Sequence, residues 1–305
     1  MNEDPHSPRP SAPLPPDDPR RPRHPLEGPR PEDAVPAETQ ARQGPRVAFA
    51  TDNPRPTLTM GLIAINLAIF FAGLMVRGLG DTLFFNGALF PNLVLGDFQL
   101  HRLVTAMFLH ASIAHIVLNM VSLYSLGREV EIVYGTWRYL SIYFLGGITG
   151  SVLSAAIGDY GIPSVGASGA VLAVWAAQLW FMYQNRVLFG QERTRQVLTQ
   201  NLIYLGFFVL IGFLPGARID NWGHIGGFLG GLAIAYLMPV RLKLQQITLP
   251  DGQPARLLVD TNRWDPQRHL PLLALVGTGI LLLLMLGMLG FRLNLFPTTN
   301  VFGVF

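Results

Sequence analysis

A serine and a histidine stand near the starts of two separate apolar runs, and they are the best candidates in the sequence for nucleophilic chemistry. Ser168 lies in the sequence Gly-Ala-Ser-Gly-Ala that begins at Gly166, and His224 lies in Asn-Trp-Gly-His-Ile-Gly-Gly. A serine hydroxyl becomes a nucleophile when a neighbouring histidine accepts its proton. Cysteine is absent from the chain, which excludes a thiolate nucleophile, disulfides and thiolate metal sites.

Each of these two residues also has a purely structural explanation. Ser168 could cap a helix by accepting a hydrogen bond from a backbone N–H, and His224 could donate to a carbonyl inside a helical bundle. Glycines near the serine would let a substrate backbone approach closely. Gly227 and Gly231 form a small-xxx-small surface suited to close helix packing. Taken singly, neither Ser168 nor His224 establishes a reaction.

A third apolar run carries a second polar group, made of His110, His115 and Asn119. At 100° per residue, His115 and Asn119 lie about 40° apart on one helix face, whereas His110 lies about 140° from His115. Such side chains either hold helices together through hydrogen bonds or donate to a developing negative charge. The spacing leaves both explanations open.

The composition identifies the elements that must position these residues as membrane-spanning helices. Of the 305 residues, 50% are apolar and 13% are charged, against roughly a quarter charged in soluble domains. After residue 56, apolar runs of about 17 to 25 residues recur, the length that spans the hydrocarbon core as a helix. Seven runs are predicted, at residues 57–76, 103–126, 137–157, 167–185, 197–214, 223–240 and 270–291. We therefore predict an all-α fold, a polytopic transmembrane helical bundle.

The remaining segments are predicted to be tails and a linker. Residues 1–56 hold 15 of the 24 prolines and too few apolar residues to form a core, so we expect a disordered tail. This segment does not resemble a signal peptide, since an apolar core should lie within the first ~30 residues. The expected domains are that cytoplasmic tail, a six-span core at 57–240, a cytoplasmic linker at 241–269, a seventh helix at 270–291 and an external tail at 292–305.

Basic residues are concentrated on one side of the predicted bundle, in the tail and in the loops after spans two, four and six. Those residues are Arg42, Arg46, Arg55, Arg128, Arg138, Arg186, Arg193, Arg195, Arg241, Lys243, Arg256, Arg263 and Arg268, while the opposite loops carry Arg77, Arg102 and Arg218. The positive-inside rule then places the N-terminus in the cytoplasm. The Arg-rich, Lys-poor composition favours a bacterial plasma membrane.

This orientation brings the polar residues of three spans to one region. Spans four and six both start from the outside, so Ser168 and His224 are expected at similar depth, and span two adds His115 and Asn119 within a few turns. No Asp or Glu falls inside a predicted span, which weighs against a proton-coupled transporter. A channel or transporter that uses the three histidines as a relay is the weaker alternative.

Together these motifs resemble the rhomboid intramembrane serine proteases over residues 57–240. The residues that carry the resemblance are His110, His115 and Asn119 in span two, Gly166-Ala167-Ser168-Gly169 opening span four, and His224 with Gly227 and Gly231 in span six. The family is a six-helix core, and an added C-terminal span is a variation that it shows. The resemblance implies a Ser-His dyad that cuts peptide bonds in or beside transmembrane segments, with Ser168 as nucleophile and His224 as base.

The resemblance also implies supporting roles. His115, Asn119 and the Ser168 N–H would stabilise the oxyanion, and His110, Gly166 and Leu172 would support the site. The expected partners are transmembrane protein substrates and the lipid bilayer. Neither a metal nor another cofactor is expected. Lys243 is the only lysine, so the basic residues give no face for nucleic acid. The oligomeric state does not follow from the sequence.

Two positions depart from the family pattern. Many members carry an aromatic residue four positions after the serine, against which the histidine stacks, and here that residue is Leu172. The usual Trp-Arg pair of the first loop reads His101-Arg102.

The loop at 77–102 resembles the family's membrane-embedded loop, and span five would be a gate for substrate. A triad would have to borrow Asp220, which we do not expect. The main alternative is a non-catalytic rhomboid-like protein that binds transmembrane helices for quality control.

Overall fold

The computed structural model describes residues 47–50, 55–158, 163–214, 219–248 and 254–295. Most of these residues are helical, which confirms the prediction of a helical membrane bundle. The helices in the first part of the chain are α1 (Thr57–Met75), α2 (Leu79–Gly87), α3 (Pro91–Leu95), α4 (Arg102–Thr105), α5 (Ile113–Ser122) and α6 (Arg128–Tyr134). Those in the second part are α7 (Thr136–Ile157), α8 (Ser168–Gln184), α9 (Arg186–Phe189), α10 (Gln191–Gly212), α11 (Asn221–Leu237) and α12 (Pro266–Arg292).

Each of the seven predicted apolar runs contains helix. Among the described residues, α1, α7 and α12 are long and apolar enough to cross a membrane individually. The segments Arg102–Phe108 and Ile113–Tyr134 pass the same test together and are bent by 94° at the break between them. The helices that begin at Ser168 and Asn221 are shorter, at 17 residues each.

Glycines allow α7, α8 and α11 to pack backbone against backbone at the centre of the bundle. A Cβ atom on Gly227 would collide with the backbone of Gly169, and one on Gly231 would collide with the backbone of Ala173. The small-xxx-small pattern therefore faces α8; the sequence predicted a close helix contact without identifying the partner. The contact between Gly227 and Gly169 lies within one turn of both Ser168 and His224.

The loop between α1 and the bent second span is folded around Arg102. Its guanidinium donates to the carbonyl oxygens of Ala88 and Phe85 at 2.7 and 2.9 Å and to Oε1 of Gln99 at 2.7 Å. Nε2 of His101 lies 3.1 Å from the carbonyl oxygen of Asn86. The His101-Arg102 pair thus joins the end of the loop to α2 and to Ala88, which directly follows that helix.

Strands occupy two segments for which the sequence predicted no regular structure. Within the expected linker, β2 (Leu242–Thr248) pairs antiparallel with β3 (Pro254–Asp260). On the other side of β3, β1 (Val47–Ala50) pairs in parallel, with Val47 opposite Arg256. The prediction of disorder is therefore wrong for β1, where a short apolar run satisfies its backbone groups on an available strand. Residues 1–46, 51–54 and 296–305 lie outside the described part of the chain.

A buried ion pair attaches this sheet to the helical bundle. Nη2 of Arg138, near the start of α7, lies 2.6 Å from Oδ2 of Asp260 at the end of β3, and both side chains are less than one tenth exposed. Oδ1 of the same carboxylate accepts from the N–H groups of Arg241 and Asn262 at 3.0 and 2.9 Å. The charges are therefore paired and hydrogen-bonded, as buried charges must be.

Candidate active site

The segment that leads into Ser168 is held by backbone hydrogen bonds to the neighbouring loop. Ser164 and Leu89 exchange both of their backbone hydrogen bonds at 2.9 Å, and the N–H of Gly166 donates to the carbonyl of Ala106 at 2.9 Å. Gly166 has a φ of 128°, and a Cβ atom there would stand 2.7 Å from the imidazole of His115. Both facts require glycine, and they place the start of α8 beside His115.

Ser168 and His224 are in direct contact. Oγ of Ser168 lies 2.7 Å from Nε2 of His224, a hydrogen-bond distance. His224 is only 7% exposed, because α7 and α8 pack closely around the first turns of α11. This is the geometry in which a histidine accepts the proton of a serine hydroxyl.

The carboxylate of Asp220 is occupied by other partners. Its Oδ1 accepts from the N–H of Gly223 at 2.8 Å, which caps α11, and its Oδ2 accepts from the hydroxyl of Ser164 at 2.5 Å. In the described part of the chain, Nδ1 of His224 has no hydrogen-bond partner. The arrangement is therefore a serine-histidine pair rather than a triad with a carboxylate on the second ring nitrogen.

The first turn of α8 offers backbone N–H groups next to the serine hydroxyl. The bond from the N–H of Val171 to the carbonyl of Ala167, at 2.9 Å, closes the first turn of this helix. The N–H groups of Ser168, Gly169 and Ala170 precede it and have no carbonyl one turn earlier within the helix. Such a helix start carries a partial positive charge and is suited to hold an anion.

The polar residues of the second span lie on the same side as this helix start. The side-chain amide of Asn119 donates to the carbonyl of His115 at 3.1 Å, so both residues share one face of α5, as the spacing predicted. The rings of His115 and His110 are 5.1 Å apart with 64° between their planes. The structure thus brings His115 to Gly166 and His110 to His115, while Asn119 is buried one turn further along α5.

The aromatic ring that packs on His224 belongs to Phe208 of α10. The two ring centroids are 4.9 Å apart, and the planes are inclined by 37°. Leu172, at the position where the family pattern has an aromatic residue, is buried in α8. Sequence reasoning missed Phe208, because one phenylalanine in a lipid-facing apolar run has no local signal that separates it from its neighbours.

A small polar cavity adjoins the serine and the histidine. It has about 20 Å³ of space for water and is lined by Ser151, Ser164, Ser168, Asp220 and His224, among others. A cavity needs roughly 10–15 Å³ of such space and polar partners to hold a water molecule. The cavity is therefore large enough to hold a water molecule beside the reacting groups. Among the described residues, no group of three or more His, Asp or Glu side chains could bind a metal ion.

Comparisons with known proteins agree on one family for the central part of the chain. Residues 97–241 match the family model described as the Rhomboid domain. The chain is 37% identical to Rhomboid protease GluP of Bacillus subtilis over 199 residues, which is 64% of this chain and 38% of that protein. It is 37% identical to Rhomboid-like protease 3 of Toxoplasma gondii over 142 residues, or 45% and 51% of the two chains.

A plant relative gives the same result. The chain is 36% identical to RHOMBOID-like protein 2 of Arabidopsis thaliana over 155 residues, or 51% of this chain and 47% of the relative. The matched region thus spans between 38% and 51% of the length of these three relatives. The similarity includes the segments that carry His115, Ser168 and His224.

Proposed function

Since this chain belongs to the rhomboid family, we propose that it is a serine endopeptidase that hydrolyses peptide bonds in or next to transmembrane segments. The observation that carries the proposal is the 2.7 Å contact between Oγ of Ser168 and Nε2 of His224. The contact lies beside the first N–H groups of α8, which have no carbonyl one turn earlier within the helix, and beside a polar cavity large enough for water. A nucleophile, a base, oxyanion donors and water are the parts that this reaction needs.

In the proposed reaction, Oγ of Ser168 attacks the scissile carbonyl carbon while Nε2 of His224 takes the hydroxyl proton. Negative charge develops on the carbonyl oxygen, where the first N–H groups of α8, His115 and Asn119 are the candidate donors. His224 then gives its proton to the leaving amine, and an acyl ester remains on Ser168. Water attacks that ester with His224 again acting as base, which releases the acid product and restores the hydroxyl.

The proposed substrates are membrane proteins with a single transmembrane segment, cut near its outer end. The proposed location is a bacterial plasma membrane, with a cytoplasmic N-terminus and with the site open to the outside. We assign the role of gate to α10, because it carries Phe208 at the edge of the site and many of its apolar residues are exposed. Displacement of α10 would open a lateral path from lipid to Ser168.

The alternative function is that of a non-catalytic rhomboid-like protein that binds transmembrane helices. Such a protein would need neither reacting group, so the hydrogen-bonded pair favours catalysis. The two functions differ in one measurement, since a binding protein would capture a transmembrane segment without cutting it.

The test is cleavage of a single-span substrate by the full chain in liposomes. We expect cleavage by the wild type and none by Ser168→Ala or His224→Ala. Ser141→Ala is the matched control, because its hydroxyl donates to the carbonyl of Trp137 on an exposed part of α7. Cleavage by either site variant at the wild-type rate would exclude the dyad, and binding without cleavage by the wild type would favour the alternative.

A further inference from the structure

A second, larger cavity lies at the end of the bundle opposite Ser168. It has a volume of about 280 Å³ and lies between α6, the last turns of α8 and the first turns of α10. Phe181 lines it and follows Ser168 by 13 positions in the sequence, which places the cavity about 20 Å along α8 from the serine. The cavity is thus separate from the candidate active site.

The walls combine an apolar surface with a few polar groups. Val133, Phe181 and Met182 contribute apolar surface, while Thr194 and Arg193 bring a hydroxyl and a guanidinium from the first turn of α10. Ligand cavities in proteins have this composition, with a mostly apolar lining and a small number of polar groups that orient the ligand.

Thr194 is the residue that most clearly indicates a ligand. Its side chain is only 1% exposed, it lines the cavity, and its hydroxyl has no hydrogen-bond partner among the described residues. Buried polar groups are nearly always hydrogen-bonded. A ligand with an acceptor oxygen would supply the missing partner, and Arg193 beside it would favour an anionic acceptor such as a phosphate.

The wall that α6 contributes carries a negative charge. Glu129 lines it, and Oε2 of this carboxylate accepts a hydrogen bond from the side-chain amide of Gln178 at 2.7 Å. The cavity therefore offers a cation on α10 and an anion on α6. A ligand that carries both a phosphate and an ammonium group would match this pair of charges.

The surroundings place the cavity at the level of the membrane interface. The rings of Trp180 and Tyr183 pack 5.5 Å apart, and Arg186 stacks over Tyr183 at 4.6 Å. Aromatic and basic residues at the ends of transmembrane helices mark the region of the lipid headgroups. A ligand at this depth can enter from the bilayer itself.

We propose that this cavity binds a phospholipid with a zwitterionic headgroup, phosphatidylethanolamine. The phosphate lies between Arg193 and Thr194, the ammonium group faces Glu129, and the glycerol and upper acyl chain contact Val133 and Met182. Only this part of the lipid fits within about 280 Å³, so the rest of both acyl chains extends into the bilayer. The site does not depend on the proteolytic function proposed above.

The test is native mass spectrometry of the full chain in detergent, titrated with phosphatidylethanolamine, phosphatidylglycerol or inorganic phosphate. We expect the wild type to hold one phosphatidylethanolamine molecule tightly. Arg193→Gln and the isosteric Thr194→Val should each bind this lipid at least about tenfold more weakly. Arg195→Gln is the matched control, since it removes the same charge from an exposed residue that does not line the cavity. Its affinity for the lipid should equal that of the wild type.

Three results would overturn the proposal. Equal retention of the lipid by the wild type, Arg193→Gln and Thr194→Val would show unspecific annular binding. Complete competition by millimolar inorganic phosphate would show a site for free phosphate instead. Equal affinity for phosphatidylglycerol would exclude recognition of the ammonium group by Glu129. Arg193→Gln alters an exposed side chain, so it keeps the test valid if Thr194→Val fails to fold.

Discussion

The ring of Phe208 packs on the imidazole of His224, with 4.9 Å between the ring centroids. The two residues belong to different helices, since α10 carries the phenylalanine and α11 carries the histidine. The orientation of the proposed base is therefore linked to the position of the proposed gate. In the proposed gating motion, displacement of α10 from α11 would remove this packing surface from His224.

The variant Phe208→Ala should lower kcat about 10- to 100-fold, because small misplacements of a catalytic group cost up to about 10²-fold in rate. Phe208→Tyr should retain most of the activity, since it keeps the ring. Phe207→Ala is the control, because this neighbouring ring is 64% exposed. Steady-state cleavage in liposomes measures kcat and KM. An unchanged kcat in Phe208→Ala would rule out a role of this ring in positioning His224.

Asp220→Asn should keep kcat within about tenfold of the wild type. The amide oxygen can still accept from the N–H of Gly223, and the contact that caps α11 survives. In Ser-His-Asp proteases the corresponding change lowers kcat by about 10⁴. A loss of that size here, with the melting temperature unchanged, would mean that Asp220 acts on His224 as the third member of a triad.

Gly227→Ala should destabilise the bundle and reduce cleavage. The added Cβ would meet the backbone of Gly169, and overpacking of this kind costs about 1–3 kcal/mol. Separation of α8 from α11 would also lengthen the contact between Ser168 and His224. Gly277→Ala in α12 is the control, because a Cβ there has nothing within 4 Å. Equal melting temperatures for the two variants would contradict this account of the helix contact.

The parts of the site that the sequence indicated are those governed by helix periodicity and orientation. The apolar runs placed Ser168 and His224 at the same end of their helices, and the spacing of His115 and Asn119 placed them on one face. These features depend on the local spacing of residues and on the direction in which each span crosses the membrane. The glycine pattern of α11 predicted a close helix contact, and the structure shows that its partner is α8.

The contacts that the sequence did not indicate depend on packing between distant elements. The second span was expected to end at residue 126, yet helix continues through a π-helical turn, Leu123–Gly127, into α6. Within α6, Glu131 is fully buried and accepts hydrogen bonds from the N–H groups of Leu58 and Thr59 at 2.9 and 2.8 Å. A carboxylate satisfied by the start of another helix cannot be identified from its own neighbours in sequence.

The same limit applies to Phe208 and to strand β1. The stacking of Phe208 on His224 requires knowledge of how α10 and α11 pack. The pairing of β1 with β3 joins Val47 to Arg256 across most of the length of the chain. Both features depend on a contact between residues that are far apart in the sequence, so the neighbouring residues do not predict them.

Covalent labelling by a fluorophosphonate reports directly on whether Ser168 is activated by His224, because the reagent needs an activated serine and no substrate. We expect one label on each wild-type chain, none on Ser168→Ala, a greatly reduced level on His224→Ala, and wild-type labelling of Ser141→Ala. Labelling that persists in Ser168→Ala, or a folded wild-type protein that takes up no label, would exclude Ser168 as an activated nucleophile.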